Sequence, residues 1–275
     1  MRWGGLLAAL IAAPIGAFAS PPVVLDADGD RLLIGRPDEV EAGRDVGLRL
    51  TIRLIEGGVE QPWPLEGQGI EQARLLPGAR ALAITPRHEL LEADLATGLV
   101  RVLDRDVVGA VGASPDGRHL VYCRGDAPDL EVWQLDLADG KPRPVTRGMA
   151  PTWSPAVSMD GGRVIFASGR SGLAALWVVE GGGPPRQLTN LGVVVEPGRP
   201  PALTPTPAAL SPSLFAKGLV VFEGRDGVHV FDDRGQHVRS LPGTAPHWIV
   251  PGRTLGVVVG EPPRVMQVPL TEAKP

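Results

Sequence analysis

An arginine recurs along this chain at Arg36, Arg87, Arg124, Arg170, Arg225 and, less regularly, Arg264. A guanidinium is a planar fork of donors that matches a carboxylate or phosphate two bonds at a time. Trp63, Trp153 and Trp248 recur as well, and indoles serve as anchors at binding surfaces. Gathered on one edge of a fold, these side chains form a positive, aromatic rim for a partner. The arginines also allow a purely local reading. Asp38, Glu89, Asp126, Asp226 and Glu261 lie close to them in sequence, and a guanidinium that bonds such an acid merely pins its own loop.

Other patterns point to catalysis and fail on chemistry. Gly112-Ala113-Ser114-Pro115-Asp116 resembles a nucleophile elbow but lacks its final glycine, and an elbow must lead into a helix. His88-Glu89-Leu90-Leu91-Glu92 has Glu92 where a zinc-protease helix needs its second imidazole. Asp26, Asp28 and Asp30 suggest a calcium loop, but Pro37 occupies the place of the required bidentate Glu. The histidines, His88, His119, His229, His237 and His247, show no ligand spacing. We assign no catalytic residue, no metal site and no cofactor from the sequence.

The elements that must position the arginines are legible in the turns. Ser114-Pro115-Asp116-Gly117 is type I turn chemistry. It is followed by strand-like runs at 119–123 and 130–137, a hairpin at Asp139-Gly140, and a short last run ending at Thr146. Residues 151–189 repeat the pattern, with Met159-Asp160-Gly161 at the turn and Trp177 in the place of Trp133. Both of these indoles fall mid-strand and are expected in the core. Weaker copies carry turn glycines at Gly29, Gly78, Gly218 and Gly252, a mean spacing of about 45 residues. A unit of that length with four short strands is a propeller blade. Each blade has two apolar faces and buries them only against neighbours. The expectation is an all-β fold, a six-bladed β-propeller of four-stranded antiparallel blades. Val23 to Leu25 form its first inner strand, and the ring closes by side-chain packing alone.

Composition is consistent with this. The 36 glycines and 29 prolines suit a turn-rich β protein. The formal net charge of −4 gives no general attraction to nucleic acid or an anionic membrane. The single cysteine, Cys123, lies in an apolar run and is expected to be buried and inert. Arg2, the apolar stretch from Leu6 to Phe18, and Ala17-Phe18-Ala19 form a signal peptide with cleavage after Ala19. The stretch is too short for a membrane span. Residues 1–19 are therefore the leader and 20–275 a single propeller domain, with no transmembrane segment in the mature chain.

The two central copies resemble the repeats of TolB-like propellers, a WD-type or PD-type repeat: "SPDGRHLVY…DLEVWQLDLADGKPRPVT" and "MDGGRVIFASGRSGLAALWVVEGGGPPRQLT". The resemblance spans roughly residues 21–270, with its specific motif within 109–189. The first blade follows the leader directly, without the α/β domain that precedes the TolB propeller. The resemblance implies a periplasmic or secreted protein that acts as a binding scaffold for a protein, peptide or cell-envelope partner. Similar repeats also occur in enzymes, so the alternative is a metal-dependent lyase or hydrolase acting on a saccharide or peptide at the central channel.

Overall fold

A computed structural model describes residues 23–28, 31–37, 50–56, 59–61, 63–65, 69–126, 130–148, 152–171, 175–188, 211–216, 218–224, 227–232, 237–260 and 264–270. The expected leader lies outside the described residues. Among the described residues no helix is long and apolar enough to cross a membrane.

The strands fall into antiparallel sheets in chain order. Blade 1 is β1 (Val23–Asp28), β2 (Arg31–Pro37), β3 (Leu50–Glu56) and β4 (Val59–Gln61). Blade 2 is β5 (Gln72–Leu76), β6 (Arg80–Ile84), β7 (Leu90–Asp94) and β8 (Val100–Asp104). Blade 3 is β9 (Val107–Ala113), β10 (His119–Arg124), β11 (Glu131–Asp136) and β12 (Pro142–Pro144). Blade 4 is β13 (Thr152–Val157), β14 (Arg163–Ser168), β15 (Ala175–Glu180) and β16 (Arg186–Gln187). Blade 5 is β17 (Ser211–Ala216), β18 (Leu219–Gly224), β19 (Gly227–Asp232) and β20 (His237–Leu241). A three-stranded sheet follows: β21 (Thr244–Val250), β22 (Thr254–Val259) and β23 (Arg264–Pro269).

The first strands of the sheets line a hub. Each packs against the next in the order β1, β5, β9, β13, β17, β21, and β21 also meets β1. The molecule is an all-β propeller with antiparallel blades of three or four strands. This corrects the expectation of six four-stranded blades: among the described residues five blades have four strands and the last sheet has three. Beyond β23, the Leu270 N–H donates to the Arg253 carbonyl, and among the described residues no fourth strand pairs with that sheet.

Two local devices build each blade. The first is the turn between its first and second strands. The Ser114 hydroxyl donates to Asp116 Oδ1 at 2.5 Å and accepts the His119 N–H at 2.9 Å. Gly117 sits at φ 67° and donates its N–H to the Ser114 carbonyl. Blade 4 repeats this with Ser158, Asp160 and Gly161 at φ 70°. Ser114 is thus a turn residue, 2% exposed, whose hydroxyl is fully engaged. The second device has no signature in the sequence. The pairing register slips within β1, β9, β13, β17 and β21 but not in β5. Such bulges bend a strand and re-aim its side chains, here at the crowded hub. At Gly112, between β9 and β13, an added Cβ would run into the Pro155 carbonyl.

Apolar side chains fill the gaps between neighbouring blades. Leu33, Leu54 and Ile70 pack with Leu75 and Ala81 between blades 1 and 2. Tyr122 and Leu120 meet Leu82 and Leu90 between blades 2 and 3. Phe166 and Val164 meet Val121 and Val132 between blades 3 and 4. Ile165 and Val178 meet Val220 and Phe231 between blades 4 and 5. Val221 and Val230 meet Leu255 and Val257 across the next gap. Both faces of blades 2 to 5 are thus buried, which explains strands that are apolar on both sides.

Candidate functional site

The strand ends divide the disc into two faces. The turn face carries the first turn of each blade. The loop face carries the loops between second and third strands and the connections from one blade to the next. The expected rim belongs to the loop face, and the structure shows that its arginines do not share one position. Arg36 and Arg124 lie five residues past the start of their second strands, still within β2 and β10. Arg87 and Arg170 lie seven residues past the starts of β6 and β14, out in the turns. Arg264 is the first residue of β23, opposite Val259. Arg225 lies outside the described residues.

The aromatic part of the rim needs correcting. Trp63 is only 6% exposed and belongs to the core between blades 1 and 2, because the chain after β4 folds back under that gap. Trp153 and Trp248, on β13 and β21, are half-buried and pack against the cores of adjoining gaps. Trp133 and Trp177, expected in the core, are instead half-buried, each covered by a guanidinium. They stand in matching register, Trp133 opposite Tyr122 and Trp177 opposite Phe166.

Around Trp133 the site is closed by charge. The Arg124 guanidinium lies 4.6 Å from the ring centroid. Its Nη1 is 3.2 Å from Asp104 Oδ2 and its Nη2 is 3.8 Å from Asp106 Oδ2. The Tyr122 hydroxyl donates to the same Asp104 oxygen at 2.6 Å. Burial, reinforced by the Asp104 carboxylate, pushes the Tyr122 phenol above its ordinary range, so it stays a donor. Asp104 ends β8 and reaches across from blade 2, a partnership that local sequence spacing does not reveal.

Around Trp177 the site is open. The Arg170 guanidinium lies 5.1 Å from the Trp177 centroid and 5.2 Å from that of Phe166. Its Nε donates to Ser168 Oγ at 3.2 Å. Among the described residues it has no carboxylate partner. Burial alone lowers its pKa, as expected of a cation removed from water without a counter-ion. Arg87, in the same register class, is exposed and likewise has no acid partner among the described residues.

The other sequence candidates are structural or scattered. Asp26 lies within β1, accepts the Leu75 N–H at 2.8 Å and sits 3.8 Å from Arg74 Nε. Arg74 also donates to the Val111 carbonyl, which ties β1, β5 and β9 together at the hub. Glu92 is buried between Arg80 and Arg101. His88 is exposed in a turn at φ 59°, and His247 is buried against Gly256. His119 lies 3.7 Å from Asp136 Oδ2. His229 is 3.0 Å from Ser240 Oγ, and His237 lies on β20. Among the described residues no three His, Cys, Asp or Glu side chains are grouped to hold a metal. Cys123 is buried, donates to the Thr152 carbonyl, and has its thiol pKa pushed up to about 12 by burial. A groove of about 380 Å³ runs between blades 1 and 2, lined by Arg31, Leu54, Gln61, Pro64 and Leu95 among others, none of them expected rim residues.

No family model matches the sequence, and no curated protein matches it. Solved structures are similar in fold. TolB from Acinetobacter baumannii has a TM-score of 0.54 at 21% identity, over 79% of this chain and 56% of that one. This chain therefore spans little more than half of that protein. A putative TolB from Agrobacterium tumefaciens has a TM-score of 0.54 at 16% identity, over 81% of this chain and 80% of that one. An oligogalacturonate lyase from Vibrio parahaemolyticus has 0.51 at 13% identity, over 89% and 75%. These likenesses support a TolB-like propeller fold.

Proposed function

We propose that this chain is an exported, TolB-like propeller of six blades that serves as a binding platform for a protein or peptide partner, including one of the cell envelope. The partner docks on the loop face. The observation that carries this reading is Arg170, a cation lying over two aromatic rings with no acid of its own among the described residues. Rigid scaffolds present function on their loops, and guanidinium on an aromatic base is an anchor type enriched where partners bind. Arg87, without an acid partner among the described residues, extends the same positive surface. The blade count of six rests on the β21–β23 sheet, which packs between β17 and β1. Export, to the periplasm or beyond, rests on the leader pattern of residues 1–19.

The test is affinity capture from the exported fraction, comparing wild type with an Arg87→Ala/Arg170→Ala variant. The expected result is a partner retained by wild type and depleted about tenfold or more by the variant. Equal recovery by both proteins removes the loop-face arginines as the docking site.

A further inference from the structure

Blade 3 contains a complete carboxylate-binding arrangement, and blade 4 contains the same arrangement with no carboxylate in that place among the described residues. In blade 3 the bound acid is Asp104, held by the Tyr122 hydroxyl and the Arg124 guanidinium at 2.6 and 3.2 Å. Asp104 stands opposite Leu90 at the outer end of blade 2. The matching position at the outer end of blade 3 is Thr146, whose N–H donates to the Val132 carbonyl. Its hydroxyl accepts the Val132 N–H at 2.9 Å, and the residue is 2% exposed. Thr146 is thus turned onto its own sheet and offers blade 4 no charge. Arg147 and Gly148 follow it and add no acid. Phe166 stands where blade 3 has Tyr122, so the hydroxyl that shares the acid is withdrawn as well.

What blade 4 keeps is the cation on its aromatic base. Arg170 reaches that place from two residues further along than Arg124 does, so the arrangement is retained although the backbone route differs. A half-buried guanidinium with no counter-ion among the described residues is costly to fold unless a carboxylate reaches it. Its Nε is satisfied by Ser168, and no acid among the described residues pairs with its two terminal nitrogens.

Building on the proposed platform role of the loop face, we infer that Arg170 on its Phe166–Trp177 base receives a carboxylate from a partner, in the place that Asp104 fills in blade 3. The ligand class is a peptide carboxylate, either a free C-terminus or an Asp or Glu side chain. Bidentate geometry suits it, and the aromatic base excludes water from one side of the ion pair.

The experiment follows the arginine Nε–H signals of the full chain by NMR while acetate is added, with acetamide and chloride as controls. The Arg170 signal is expected to move saturably in the millimolar range with acetate only. Two peptides then separate the sources: one with a free C-terminus and no acidic side chain, and one amidated and carrying a single glutamate. Arg170→Gln should weaken the preferred peptide about tenfold or more. Thr146→Asp restores the internal acid, so it should shift the Arg170 signal in advance and abolish its response to acetate. If that variant does not fold, Arg170→Gln decides alone. An Arg170 signal that follows acetate no more than chloride overturns the inference, as does an acetate response untouched by Thr146→Asp. If the Arg87/Arg170 variant still loses a captured partner while Arg170 ignores acetate, the platform stands and the carboxylate assignment falls. If acetate binds Arg170 but nothing is captured, the subsite stands and the platform falls.

Discussion

At the turn face, Arg80 and Arg101 close on Glu92, Arg118 and His119 lie against Asp136, and Arg163 meets Glu180 at 2.6 Å. At the loop face, Arg124 is neutralised by Asp104, yet Arg87 and Arg170 have no acid partner among the described residues. The same strands run between the two faces, so strand propensity does not account for the difference. It lies in the connections. The turn face is made of tight turns and hairpins, whose short spans hold an acid and a base in fixed register across adjacent strands. The loop face is made of connections of unequal length, so its cations settle at two different positions and only some find an internal acid. One face pairs its charges across adjacent strands, and on the other two arginines have no acid partner among the described residues.

The sharpest way to break this comparison is Glu92→Ala. Glu92 is buried, and Arg80, besides pairing with it, donates to the Gly117 carbonyl of blade 3. Removing the carboxylate leaves Arg80 and Arg101 facing each other without the acid that joined them. The expected cost is about 2–3 kcal/mol, below the full value for a buried pair because Arg101 is largely exposed. Urea denaturation measures it. A loss below about 0.5 kcal/mol would mean the turn-face pairs are decoration, and the two faces would no longer differ in kind.

Much of the frame was legible in the sequence because one turn carries it. Ser114-Pro115-Asp116-Gly117 uses side-chain bonds within a few residues, so its chemistry survives as a local motif in blade 4 and as bare glycines at Gly78, Gly218 and Gly252, all between φ 68° and 77°. The bulges of the inner strands were not legible, since they answer to crowding at the hub and leave no common residue. The rim was legible only in part. Its arginines could be counted, but whether each is paired depends on residues of another blade: Asp104 sits 20 positions from Arg124. Trp63 was misplaced for a similar reason, because its burial is decided by Leu33 and Ala81, which belong to other parts of two blades. Pairing across a gap between blades is tertiary information.

A smaller effect should come from the turn itself. Ser158→Ala removes a buried hydroxyl that donates to Asp160 and accepts the Arg163 N–H, for an expected loss of about 1–2 kcal/mol. The pH dependence identifies the cause. The Ser158 hydroxyl first, and then the Gly162 N–H, hold the Asp160 carboxyl below its ordinary value. A lowered carboxylate pKa contributes stability above the unfolded value of about 3.9 and loses it as pH falls through the lower folded value. The gap between wild type and Ser158→Ala should therefore narrow on acidification below about pH 4. A gap that stays constant would assign the loss to packing instead of the charged hydrogen bond.

The smallest difference is the most informative, because it compares like with like across the two arginine classes. Arg124→Gln strips Asp104 of its guanidinium partner, leaving the Tyr122 hydroxyl and the Arg105 N–H, while that acid remains 11% exposed, and should cost about 1–2 kcal/mol. Arg170→Gln gives up a guanidinium on two rings, worth about 0.5–1 kcal/mol. It also gives up the Nε–Ser168 bond but relieves a cation that burial disfavours, so its cost should fall below that of Arg124→Gln. Parallel urea curves of the two variants decide the matter. If Arg170→Gln destabilises the fold as much as Arg124→Gln does, Arg170 is a structural pin like its neighbour. Its nitrogens would then be committed to the fold, and the loop face would have lost its best reason to be read as a surface that waits for an acid.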